Sequence, residues 1–205
     1  MNKDIELNTL PSHKSDVEKP TEFSPQNPRY VYRKLVGFLL LNLAVSIICY
    51  VNYGFLKSIH PLLAPALLGM ATAALAQSTN QYVKRKFSMS KILKFCVWGL
   101  INGSFTVMWI DALIQSIDNL VFRIMVDQLV GAPTFQLIFN ILNSLWDHGE
   151  LSYNTRNAYF KSLKYSYCYW PLVSCTMFVF IPQDSMFPAN CAANLVWNLI
   201  LTKLS

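Results

Sequence analysis

The feature that most constrains this chain is the alternation of long apolar runs with short polar stretches. Each run approaches the roughly 20 residues that a helix needs to cross the hydrocarbon layer of a bilayer. The chain is 53% apolar and 14% charged, which a soluble domain could match, but a soluble core does not collect its apolar residues in this way. We therefore predict an all-α, polytopic transmembrane helix bundle of about six apolar segments and four to six spans: residues 36–56, 62–77, 95–113, 120–146, 165–182 and 186–202.

Residues 1–34 have a different composition from the rest of the chain. They contain four prolines, mixed acidic and basic side chains and little apolar periodicity. Such a segment buries too little surface to offset the entropy lost on ordering. We predict a disordered polar tail over residues 1–34 and a transmembrane helical domain over residues 35–205.

The basic residues support a count of six spans. Six crossings place the N-terminal tail, residues 84–94, residues 147–164 and the C-terminus on one side, and among the basic residues beyond the tail only Lys57 and Arg123 fall on the other. This asymmetry predicts both termini on the cytosol-like side. The net charge of +6 then reflects contact with membrane lipids, and no nucleic-acid partner is expected. Association of the chain with further copies of itself, as a homo-oligomer, also stays open.

Several residues are of types that pack helices together in lipid. Gly99 and Gly103 have the spacing that lets two helix backbones approach, and a packing role is favoured over a functional one. Prolines and tryptophans mark bends and interfaces. The predicted helix-packing residues are Gly69, Gly99, Gly103, Pro133, Trp170, Pro171, Trp197 and Asn198.

The residue types that carry catalysis are scattered. His13, His60 and His148 lie in the tail or in loops, and the five cysteines show no paired metal-ligand spacing. No phosphate-binding loop or nucleophile motif stands in a credible context. We predict that the chain is not an enzyme, and we expect no catalytic residue, no cofactor and no metal.

Asp127 is the most informative polar residue, because a carboxylate inside an apolar span is costly. Arg123 lies one turn earlier on the same helix face, and Gln128 can hydrogen-bond to another span. Two interpretations stay open. Arg123, Asp127 and Gln128 either lock the bundle, with Arg123 and Asp127 as an ion pair, or line a solute pathway; the locking role is favoured.

The spacing of motifs around Asp127 resembles a known family. Asp127-Gln128 is followed five residues later by Pro133, and then come Trp170-Pro171, Phe178, Pro182 and Trp197-Asn198. Together with Leu56, His60-Pro61 and Ala76-Gln77 upstream, the set is similar to the family named after the mouse kidney-disease protein Mpv-seventeen and the 22-kDa peroxisomal membrane protein. The resemblance covers about residues 53–202.

The chain also departs from the family's usual residues. Thr72-Ala73 replace a Gly-Asp pair, Gly103-Ser104 and Val107 replace Gly-Pro and a following His, Ser174 and Met177 replace Gln and Asn, and Met186 replaces an Arg. These changes describe a divergent member that has lost polar groups.

The resemblance implies a multi-pass protein of an organelle membrane, mitochondrial inner or peroxisomal, of about four spans. It also implies a channel-like or transport-related role in small-solute passage and organelle membrane homeostasis. The alternative is a non-transporting structural or assembly factor.

Overall fold

The computed structural model describes residues 28–151 and 153–204, with the side chains of 28, 153 and 198–204 excepted. Within these residues the chain consists of helices joined by short connections. Its helices are α1 (Pro28–Val51), α2 (Tyr53–Ile59), α3 (Leu63–Lys84), α4 (Met89–Ser116), α5 (Leu120–Val126), α6 (Ala132–His148), α7 (Tyr153–Phe180) and α8 (Gln183–Leu204). A π-helical turn, Asp127–Gly131, joins α5 to α6 in one continuous stretch. The predicted all-α membrane helix bundle is confirmed.

Helix α3 is the centre of the bundle, and α1, α4 and α8 all pack against it. Small side chains allow this, because alanine, glycine and serine let neighbouring backbones approach closely. The buried residues of α3 are mainly of these types: Ala64, Pro65, Leu68, Gly69, Ala71, Ala74, Leu75, Ala76, Gln77, Ser78 and Gln81.

Three glycines form the contact between α3 and α4. A Cβ atom on Gly69 would meet the carbonyl oxygen of Gly99 and the Cα of Gly103. A Cβ on Gly103 would in turn meet the carbonyl of Pro65. The structure therefore places the three predicted packing glycines at one backbone-to-backbone contact, where any side chain would force the helices apart.

The π-helical turn follows from Pro133. A proline at this position cannot donate to the carbonyl of Leu129, and its ring would clash with that carbonyl in a regular α-helix. The chain inserts one extra residue instead, so that the N–H of Ala132 bonds to the carbonyl oxygen of Asp127. The wider turn carries Asp127 and Gln128.

Three helical stretches are long and apolar enough to cross a membrane, by length and composition: Arg29–Val51, Met89–Ser116 and Leu120–His148. Their outward faces carry large apolar side chains such as Leu41, Ile48 and Leu129, which are more than half exposed. Helices α3, α7 and α8 do not meet the same criterion within the described residues. The total of four to six spans therefore stays a prediction.

Three helix boundaries differ from the expected ones. Helix α1 begins at Pro28, so residues 28–34 of the predicted tail are helical, while residues 1–27 lie outside the described chain. The predicted span 36–56 is interrupted at Asn52, whose side chain bonds back to the carbonyl of Ile48 at 2.8 Å.

The third difference is at α7. Residues 153–164, expected in a loop, form the first turns of this helix. Their polar side chains reach α6: Thr155 donates to Ser144 Oγ at 2.7 Å, and Asn140 of α6 donates to Ser162 Oγ at 3.2 Å. A hydropathy argument misses this segment because it is paired through hydrogen bonds and not through apolar contact.

The α3–α4 contact generates a stability test. Gly103→Ala is expected to destabilise the protein by about 1–3 kcal/mol, because the added methyl overpacks a backbone contact. Gly37→Ala is the matched control: nothing lies within 4 Å of a Cβ there, so an alanine in this helix is expected to be neutral or mildly stabilising. Thermal unfolding of both variants in lipid nanodiscs measures the difference; equal melting temperatures would contradict the close approach.

Candidate functional site

A cavity of about 130 Å³ lies inside the bundle, between α4, the π turn with α6, α7 and α8. Helix α4 faces α7 across it. Part of its wall is aromatic, from Trp98, Trp109, Phe135, Phe139, Trp170, Phe178 and Trp197. The rest includes a polar set: Asn102, Thr106, Asp127, Gln128, Gln136, Ser162, Ser166, Ser174, Asn190 and Asn194.

The polar side chains reach the cavity because they recur once per helical turn. On α7, Ser162, Ser166, Trp170 and Ser174 are each four residues apart and all line the cavity. Residues four apart lie on one helix face. This stripe was the signal in the sequence that could have located the cavity, and an analysis of apolar runs alone missed it.

Asp127 is held by donors from two other elements. Its Oδ1 accepts from Trp109 Nε1 of α4 at 2.8 Å. Its Oδ2 accepts from the side-chain amide of Gln128 at 3.0 Å and from the hydroxyl of Ser174 on α7. The Gln128 amide also donates to Ser174 Oγ at 2.8 Å. The carboxylate is thus solvated by three neutral donors and ties α4, the π turn and α7 together.

Gly131 makes room for this arrangement. A Cβ at this position would lie 2.7 Å from Trp109 Nε1 and 3.0 Å from Asp127 Oδ1. The absence of a side chain therefore allows the indole to reach the carboxylate. Sequence reasoning did not single out Gly131.

Arg123 is not part of the cluster, and the expected ion pair between Arg123 and Asp127 is wrong. The guanidinium donates to the carbonyl of Ile117 at 2.6 and 3.0 Å, and to that of Ile114 at 3.5 Å. It also lies over the ring of Phe178, 5.7 Å from the centroid. Arg123 satisfies the free carbonyls at the end of α4, where a cation is favourable for the helix dipole.

The other predicted residues flank the cavity. Trp170 and Trp197 line it and contact each other edge to face, at 6.3 Å between centroids. Tyr169 stacks on Trp197 and donates to the carbonyl of Ala193 at 2.9 Å, joining α7 to α8. Pro171 lies within α7 and does not begin it. The side chain of Asn198 lies outside what the structure describes.

An ion pair with a buried ammonium lies between α4 and α6, at the end of the bundle away from the π turn. Lys94 is 4% exposed, and its ammonium donates to both oxygens of Asp147 at 2.8 Å and to Asn143 Oδ1 at 2.7 Å. Sequence reasoning placed Lys94 in a loop at a membrane edge. It missed the pair because Asp147 is distant in sequence and stands outside the apolar run of α6.

The cavity wall is unbalanced in charge and in hydrogen bonding. Among the described residues that line it, Asp127 is the one charged side chain. Two polar atoms of the wall, Gln128 Oε1 and Ser166 Oγ, are buried without a hydrogen-bond partner in the described part of the chain. Anions are therefore disfavoured inside, and the wall can accept further hydrogen bonds.

An apolar exterior around this polar interior defines an all-α integral membrane protein. The sequence model of the Mpv17 / PMP22 family matches residues 147–202, which hold α7, most of α8 and the Trp170 and Trp197 walls of the cavity. Over these residues the chain is similar to the Mpv17 / PMP22 family, as the motif spacing predicted. It is an organelle membrane protein.

Two relatives illustrate the similarity. PXMP2/4 family protein 3 of Dictyostelium discoideum is 27% identical over 151 residues, which cover 70% of this chain and 81% of that protein. A vacuolar membrane protein of Saccharomyces cerevisiae is 25% identical over 118 residues, covering 53% of this chain and 38% of that protein. No solved structure is significantly similar.

The space at Gly131 generates a double-mutant test. Gly131→Ala is expected to destabilise the protein because the methyl pushes the Trp109 indole off Asp127. In a Trp109→Phe background the same change is expected to cost less, with a coupling of about 1 kcal/mol. Thermal unfolding of the four proteins measures the coupling, and strictly additive effects would contradict the contact.

The Lys94–Asp147 and Lys57–Asp184 ion pairs generate a second test. Asp147→Ala is expected to cost about 2 kcal/mol because it leaves the Lys94 ammonium buried and unpaired; the figure is reduced from the fully buried case since Asp147 is partly exposed. Asp184→Ala is the control, because the Lys57–Asp184 pair has side chains 50% and 91% exposed and such pairs contribute little. Unfolding midpoints in detergent compare them, and similar losses would argue against a buried pair.

Proposed function

We propose that the protein lets small solutes cross an organelle membrane through the cavity around Asp127. The observation that carries this proposal is the polar wall inside a bundle with an apolar exterior. A pathway through a bilayer must replace part of a solute's hydration with polar groups. Amides and hydroxyls from α4, α6, α7 and α8 provide such groups here.

A second, smaller cavity supports a pathway that continues beyond the first. It has a volume of about 20 Å³ and lies between α3, α4 and α8. Its wall shares Trp98, Asn102 and Asn194 with the main cavity. Rotation of these three side chains would connect the two spaces, so they are the natural position for a constriction.

The charge of the wall defines which solutes pass. Among the described residues that line the cavity Asp127 is the one charged side chain, and a carboxylate repels anions in a medium of low dielectric constant. Its three hydrogen bonds hold the carboxylate in place without neutralising it. Neutral solutes are therefore favoured over anions of the same size.

The same contacts favour one alternative, a structural or assembly factor that does not transport. Trp109, Gln128 and Ser174 join three elements through Asp127, which is what a helix-locking cluster does. In that case the cavity is a by-product of packing. The two candidates differ in what the loss of the Asp127 charge changes: solute selectivity in the first, folded abundance in the second.

The organelle is a separate question. The mitochondrial inner membrane and the peroxisomal membrane are the two locations that the sequence predicts, and one relative is named as a vacuolar membrane protein. Imaging of the tagged full chain against markers for the three compartments decides among them.

The decisive variant is Asp127→Asn, assayed in proteoliposomes with glycerol and lactate, which have equal numbers of non-hydrogen atoms. The wild type is expected to pass glycerol and exclude lactate. Because the asparagine can keep the Trp109 hydrogen bond, the variant is expected to insert normally. Its ratio of glycerol permeability to lactate permeability is expected to be about fivefold to tenfold smaller than that of the wild type, because about 1 kcal/mol of repulsion is lost.

Asp118→Asn is the matched control, since Asp118 is exposed and does not line the cavity; its ratio is expected to equal that of the wild type. Empty liposomes provide the blank. Wild-type protein that is verified as inserted and folded but passes no solute would reject the passage proposal. A variant that only loses folded abundance would favour the structural alternative.

A further inference from the structure

The most informative atoms of the cavity wall are two polar atoms that have no hydrogen-bond partner among the described residues. Gln128 is 9% exposed and Ser166 is fully buried, and both line the cavity. Within the described residues neither Gln128 Oε1 nor Ser166 Oγ makes a hydrogen bond. A buried polar atom without a partner is costly, and hydroxyls of a ligand in the cavity would complete both atoms after a small shift of the two side chains toward it.

The orientation of the Gln128 amide is fixed by its neighbours. Its NH₂ group donates both to Asp127 Oδ2 and to Ser174 Oγ. A flipped amide would point its oxygen at the carboxylate and would lose both bonds. The free Oε1 atom is thus an acceptor that requires an O–H or N–H from the ligand, whereas the Ser166 hydroxyl can either donate or accept.

The wall also limits the charge of the ligand. Asp127 disfavours an anion, and three of the roughly four acceptor positions of its carboxylate are already occupied. A metal ion or a compact ammonium would find one engaged carboxylate and few open oxygens. An uncharged ligand that both donates and accepts suits the amides and hydroxyls of Asn102, Thr106, Gln136 and Asn190.

Size and shape narrow the class further. The cavity measures about 130 Å³. An engineered protein cavity of about 150 Å³ holds one benzene, which corresponds to a ligand of about six non-hydrogen atoms. Aromatic faces from Trp98 and Trp170 provide apolar walls for C–H groups, and mixed aromatic and polar walls are typical of sites for small organic molecules.

We infer that the cavity binds a small uncharged polyol of about the size of glycerol, whose hydroxyls bond to Gln128 Oε1 and Ser166 Oγ. This inference rests on the proposed passage of solutes, for which it names the solute class. The ligand completes the two unpartnered atoms without a change of charge inside the bundle.

The test uses the full chain in lipid nanodiscs, with ligand binding measured by saturation-transfer NMR. The probes are glycerol, the cationic 2-amino-1,3-propanediol and the anionic lactate, all with the same number of non-hydrogen atoms. Empty nanodiscs are the blank. Glycerol is expected to give a saturable signal, and each charged analogue a weaker one.

Ser166→Ala separates binding from folding. The variant removes a buried hydroxyl that has no partner, so its melting temperature is expected to be unchanged or higher, while its affinity for glycerol falls about threefold to tenfold. Thr176→Val is the matched control, because Thr176 is exposed on the same helix and does not line the cavity. Its glycerol affinity is expected to stay that of the wild type.

Other results would overturn the inference. Saturation by either charged analogue at a lower concentration than glycerol would show that charge and not hydroxyl recognition selects the ligand. No signal above the blank would show a cavity that holds water only. Equal losses of glycerol affinity in Ser166→Ala and Thr176→Val would show that glycerol binds outside this cavity.

The binding and flux experiments distinguish a failure of the polyol inference from a failure of the passage proposal. Glycerol binding without flux would reject the passage proposal and keep the ligand class. Flux of several solutes without a preference for glycerol in either assay would keep the passage proposal and reject the polyol.

Discussion

The bundle depends on a partly buried carboxylate that is solvated by neutral donors. Asp127 stands in a helical stretch long and apolar enough to span a membrane, where an unsolvated charge would cost several kcal/mol. Its hydrogen bonds come from Trp109 on α4, from Gln128 beside it and from Ser174 on α7. Each donor is on an element that must lie at a fixed distance from the π turn. The need to solvate one charge therefore fixes the relative positions of three elements.

The positions of the other polar side chains in the interior follow from this constraint. Pro133 widens the helix into a π turn, and the turn projects Asp127 and Gln128 inward. Such turns in α-helices are frequent at functional sites. Elsewhere in the bundle, α3 and α4 meet through a backbone contact between glycines. The structure thus combines a close helix–helix contact with a cavity whose wall carries many polar side chains.

The sequence was sufficient for the fold class and the family resemblance, and it singled out Asp127 as a candidate, because each depends on local signals: run length, motif spacing and a charge in an apolar segment. It was not sufficient for contacts between distant segments. Arg123 and Asp127 are one turn apart, yet the arginine satisfies α4 carbonyls that become available only in the folded chain. Lys94 looked like a surface lysine because its partner Asp147 is brought to it by tertiary packing.

Some residues that differ from the family's usual ones line the two cavities. Ser174 and Met177 stand where the family usually has Gln and Asn, and both line the main cavity; Thr72 and Ala73, in place of Gly-Asp, line the smaller one. These four departures therefore lie on cavity walls, whereas Ser104, Val107 and Met186 line neither cavity.

The Lys94–Asp147 pair has a consequence for how the chain is assembled. Its partners belong to α4 and α6 and are 53 residues apart, so an inserting α4 reaches the bilayer before Asp147 has been synthesised. Until then the ammonium must stay near the lipid headgroups, where its charge is hydrated. Helix α4 can take its final depth only when α6 arrives with the counter-charge. The Lys94 ammonium therefore gains its counter-charge only after two helices that are far apart in sequence have come together.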